Sequence, residues 1–87
     1  MGNTVDTIVI SYDINHTEVK EEMQQLGYSD YWKYGDGPLY QMPNTTLWHK
    51  ARSSDAAIND IKNVCYRLGV NLDKAVAVRA KEFAGIR

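Results

Sequence analysis

Along residues 7–14, Ile8, Ile10, Tyr12 and Ile14 fall on one side of an extended chain, and Val9, Ser11 and Asp13 on the other. The run is β-branched and apolar on both sides until Asp13, which predicts a central strand whose C-terminal end leaves the core at that aspartate. Asn15 and Glu18 then stand at capping-box spacing, and Val19, Met23 and Leu26 recur at i, i+4 and i+7 before Gly27, predicting an amphipathic helix over residues 16–26. An aromatic-rich stretch at 30–34 reads as a second strand. Leu47, His49 and Ala51 alternate with Thr46, Trp48 and Lys50, predicting a third strand antiparallel to it. Gly35-Asp36-Gly37-Pro38 and Met42-Pro43-Asn44 supply turn chemistry between them, leaving a long hairpin connection.

A second helix is the best-defined element. Ser53 or Ser54 caps it, Ile58, Ile61, Cys65 and Leu68 form its stripe with Ala57 and Val64 at the flanks, and Gly69 ends it. Residues 74–80 alternate again, with Val76, Val78 and Ala80 opposite Ala75, Ala77 and Arg79, giving a fourth strand, and residues 82–86 are expected to add a short fifth. The order predicts an α+β fold, a ferredoxin-like βαββαβ domain in which two helices cover one face of an antiparallel sheet. The opposite face would carry Val9 and parts of the third and fourth strands, so a homodimer formed through the sheet or its edges is expected.

The chain has 87 residues, enough for one hydrophobic core and one domain over residues 1–87. With 44% hydrophobic and 24% charged residues it has the composition of an ordinary globular domain. A stretch of 18 apolar residues is missing and the first residues lack a secretory pattern, so a cytoplasmic domain without a membrane segment is expected. Cys65, the single cysteine, is expected to be a buried reduced thiol. The formal net charge of −1 conceals an asymmetry, about −5 over residues 1–49 against +4 over residues 50–87. If the fold gathers those bases on one face, a phosphate-binding surface follows without a basic total charge.

Chemistry is sparse. Asp13, at a strand mouth, is the candidate ligand for a hard divalent cation, magnesium or manganese, with a second Asp13 brought close by a twofold axis; alternatively it caps the following helix. Ser11 shares its strand face and His16 lies three residues beyond, so Asp13, Ser11 and His16 form the candidate catalytic set. His16 and His49 fit no zinc spacing, and His49 is expected to pack beside Leu47. Tyrosines and tryptophans crowd the middle third beside lysines, the composition that stacking on single-stranded nucleic acid requires. The candidate nucleic-acid-binding residues are Tyr31, Lys33, Tyr34, Lys50, Arg52 and Arg79, whereas Trp32 and Trp48 are expected to serve in packing.

The strand Val9-Ile10-Ser11-Tyr12-Asp13-Ile14 resembles the opening strand of the small CRISPR-associated ribonuclease-like family and its VapD-type and SinR-type relatives. The likeness continues through Leu26-Gly27-Tyr28 and Asp30-Tyr31-Trp32-Lys33-Tyr34, which is similar to the aromatic second strand of the SinR-type branch. The resemblance implies a ferredoxin-like dimer and places at Asp13 the aspartate associated with divalent metal and nuclease activity. Where the CRISPR-associated branch carries an arginine near the first helix, this chain has His16 and Lys20. Two functions are therefore expected: a nucleic-acid-associated dimer with metal-dependent endonuclease activity on RNA or DNA, or a non-catalytic scaffold for a nucleic-acid or protein partner.

Overall fold

The structure, a computed structural model, describes residues 2–33, 35–82 and 84. Strand β1 (Asp6–Tyr12) lies at the centre, antiparallel to β5 (Thr46–Arg52) on one side and to β6 (Ala75–Arg79) on the other. The outer neighbour of β5 is β2 (Tyr28–Ser29), giving a four-stranded antiparallel sheet of order β2-β5-β1-β6. Alternation along β1 puts Ile8 and Ile10, both fully buried, with Tyr12 against the helices. Helices α1 (Thr17–Gln25) and α2 (Ser54–Leu68) cover that face, joining Val19, Met23, Ala57, Ile61, Val64 and Cys65 to Leu47 and Tyr28 in one core. Each fully buried Ile, Leu, Val or Met among them contributes about 1.5–3 kcal/mol by leaving water.

Both helix ends have local causes. Ser53 is the N-cap of α2, its hydroxyl accepting the Ala56 N–H at 3.1 Å. Gly69 takes φ 67°, which lets the Val70 N–H reach back to the Cys65 carbonyl at 2.9 Å. Helix α1 departs from the capping box expected at Asn15: its N-cap is His16, whose side chain makes no capping hydrogen bond. At its other end Gly27 has φ 102°, and a Cβ there would lie 2.8 Å from His49 Nε2.

That close approach fixes His49, which packs as expected. Its Nδ1 accepts the Ala51 N–H at 3.0 Å, so Nε2 carries the proton and donates to the Leu26 carbonyl at 3.1 Å. Its ring meets Tyr28 edge to face, with centroids 4.8 Å apart.

The largest departure from expectation lies at 28–41. The strand expected over 30–34 does not join the main sheet: residues 28–29, just before it, do so instead, and beyond the bend at Asp30 β3 (Tyr31–Trp32) turns away and pairs with β4 (Tyr40–Gln41) in a separate two-stranded ribbon. Asp30 enforces the bend. Its carbonyl accepts the Met42 N–H at 2.7 Å and Gln41 Nε2 at 2.9 Å, and its carboxylate meets Lys20 at 2.9 Å. That ammonium bond holds the Asp30 carboxyl below the usual carboxylate range, against an opposing push from burial. The short fifth strand expected at 82–86 lies mainly outside the described residues.

Two outcomes follow. Gly27→Ala should lose at least about 1–2 kcal/mol, because a side chain is strained at that φ and must displace a doubly anchored imidazole; the denaturant midpoint measures it. Burial, then the hydrogen bond to Asp60 and that carboxylate's charge, push the Tyr28 phenol well above its ordinary 10.0, with Arg52 acting in the opposite sense. A raised pKa means the folded state keeps its proton longer. The contribution is therefore complete below about pH 10 and lost as pH rises through the folded value. Tyr28→Phe should flatten this alkaline fall in thermal stability.

Candidate functional site

The sheet face away from the helices carries the polar and aromatic alternates of the same strands. Strand pairing lines up Ser29, Trp48, Val9 and Val78 across all four strands, with Thr46, Ser11 and Val76 in the next row. At the β2 corner of this face lies a groove of about 330 Å³, walled by Tyr31, Trp32 and Trp48 and edged by Lys33 and Lys50. Neither lysine makes an ion pair among the described residues.

The groove is built on the clamped backbone of one residue, Tyr31. The Tyr31 carbonyl accepts Trp48 Nε1 at 2.6 Å and the Ser29 hydroxyl at 2.9 Å, and the Ser29 oxygen in turn accepts the Tyr31 N–H at 3.2 Å. The indole is thereby tied across the gap between the main sheet and the β3–β4 ribbon. The ribbon is itself stiffened by Trp32 stacked on Tyr40, with centroids 4.5 Å apart and planes 12° from parallel. Tyr31 has its backbone held while the residue remains 47% exposed. The result is an aromatic surface fixed before any ligand arrives, with two ammonium groups at its margin.

The other binding candidates lie elsewhere. Alternation alone would put Arg52 on the same face as Trp48 and Lys50, but the β1–β5 register shifts between Asp6 and Ile8. Arg52 instead reaches α2, its Nε and terminal nitrogen donating to Asp60 at 2.9 and 2.8 Å. Arg79 pairs with Ile8 and so stands on the helix side of the sheet, 3.7 Å from the Asp6 carboxylate. Tyr34 lies outside the described residues.

Asp13 is exposed immediately beyond β1, its N–H donating to the Lys74 carbonyl at 3.2 Å. Ser11 lies on the open face, its hydroxyl 3.0 Å from that of Thr46. Half-buried His16 starts α1, with a buried Nδ1 that has no hydrogen-bond partner. No hydrogen bond among the described residues links any two of the three. Those residues also contain no group of three or more His, Cys, Asp and Glu side chains placed to share a metal ion. Cys65 is 2% exposed, and burial pushes its thiol up, as befits an unreactive core cysteine.

Sequence reasoning set Trp32 and Trp48 aside as packing residues and passed over Ser29. Trp32 does pack, at 7% exposure, but it also lines the groove. The signal for Trp48 was present in its alternation with Leu47, which directs the indole away from the core. No helix among the described residues is long and apolar enough to cross a membrane. Comparison with protein-family models, curated proteins and solved structures finds no match to this chain.

Removing the indole donor tests the clamp. Trp48→Phe keeps an aromatic ring but leaves the Tyr31 carbonyl with one donor fewer, and should cost about 1 kcal/mol. Amide hydrogen exchange should rise at residues 31–32 and 40–41 more than in β1.

Proposed function

We propose that this chain is a homodimeric nucleic-acid-binding domain of ferredoxin-like architecture. The observation that carries the reading is the groove at the β2 corner, where Tyr31, Trp32 and Trp48 stand beside Lys33 and Lys50. An aromatic floor with unpaired ammonium groups at its margin suits a polyanion with flat bases better than it suits an apolar ligand. The architecture is read by treating the β3–β4 ribbon as an insertion between the second and third strands of a βαββαβ fold. The order β2-β5-β1-β6 with antiparallel neighbours supports that reading. The homodimer rests on the open face, where Val76 and Val78 are 58% and 50% exposed beside Val9.

Metal-dependent cleavage is the second reading, and one observation favours it. α1 begins at His16 without a side-chain cap, so Asp13 is not used as the helix cap, and its exposed carboxylate remains available at the strand mouth. In a dimer whose axis passes nearby, two such carboxylates would bind magnesium or manganese, and the ion would supply an activated water to a phosphodiester.

One set of measurements separates the readings. Labelled single-stranded RNA and double-stranded DNA are incubated with the protein, with and without manganese, and both binding and cleavage are followed. The domain should bind with an affinity that falls steeply with salt, and Asp13→Ala should leave that binding intact. Manganese-dependent cutting abolished in Asp13→Ala would establish the nuclease. Binding without cutting would establish the scaffold, and absence of binding at low salt would refute the nucleic-acid reading altogether.

A further inference from the structure

Resting on the nucleic-acid reading, we infer that the β2-corner groove is a subsite for one unpaired base, stacked on the Tyr31 ring, with the flanking phosphates taken by Lys33 and Lys50. The site therefore selects single strands over duplexes. Its volume of about 330 Å³ lies at the small end of the range of ligand pockets, roughly 300–1,000 Å³, which leaves room for a flat heterocycle. In a duplex the base faces are covered by their neighbours, so a stacking surface set into a groove reaches only bases free of pairing.

The polar inventory fits this occupant. Trp48 Nε1, the Ser29 hydroxyl and the Tyr31 amide and carbonyl are already engaged with one another. The clamp therefore offers no free donor for reading base edges, whereas the exposed Tyr31 ring and the two lysines remain available. Recognition falls on base faces and on phosphate charge, and every base has a π-face. The subsite should consequently tolerate any base, with Lys33 and Lys50 placing the backbone. Tyr31 is fixed through its main chain rather than its ring, so replacing the ring leaves the clamp in place.

Fluorescence anisotropy tests the inference, using a labelled twelve-nucleotide single strand, the same strand annealed to its complement, and the same strand with a run of abasic sites. The expected result is tighter binding of the single strand than of the duplex. Tyr31→Ala should weaken single-strand binding by roughly 5- to 150-fold, while Tyr31→Phe retains it. The abasic strand should bind wild type about as poorly as the intact strand binds Tyr31→Ala. Lys33→Ala and Lys50→Ala should each lower the salt slope by about 0.7. Circular dichroism and a melting curve establish that each variant is folded. Equal binding of single strand and duplex, unaffected by Tyr31→Ala yet weakened by Lys50→Ala, would overturn the base subsite while leaving a charge-based nucleic-acid role standing. Binding of neither form at low salt would remove both.

Discussion

Asp60 holds together the corner on which the groove is built. This carboxylate, 12% exposed on α2, accepts the Tyr28 hydroxyl at 2.7 Å and two donors from Arg52. The three residues join α2 to β2 and to β5. The constraint matters because β2 is only two residues long, too short for its ladder bonds alone to hold an edge strand in place. A hydrogen bond to a charged partner contributes about 1.5–3 kcal/mol. Arg52 thus acts from the helix side on a site that it does not touch. With Tyr28 anchored, Ser29 sits beside Trp48, and the Tyr31 carbonyl is brought within reach of the indole.

Much of the fold was legible because single residues have local consequences. The run from Thr7 to Tyr12, β-branched and apolar on both faces, identified the central strand, which β5 and β6 flank on its two sides. Ser53 and Gly69 marked the two ends of α2, each by satisfying backbone groups of that helix. The division at Asp30 was not legible from the chain, because what turns it is remote: a carbonyl bonded to Met42 and Gln41 and a carboxylate bonded to Lys20. Aromatic residues in a row carry high strand propensity whichever sheet receives them.

The same distinction runs through the site. Tyr31, Lys33 and Lys50 were legible as aromatic and basic residues near one another, and the fold brings them around one groove. Arg52 follows Lys50 by two residues, so simple alternation groups them, and only the register shift near Asp6 sends the guanidinium to the other side. Arg79 was already on the helix-facing alternates of its strand. Trp48 was misjudged in one respect: a residue can brace a structure and line a ligand surface at once, as its bond to the Tyr31 carbonyl shows.

The two edges of the main sheet are unequal. At one end β2 offers two residues, while at the other β6 runs over five and, among the described residues, pairs only with β1. An edge that short is a poor template for another strand, whereas β6 presents a usable row of unpaired amides and carbonyls. The β6 edge is therefore the better template of the two. A strand joining the main sheet would accordingly find a longer partner at β6 than at β2.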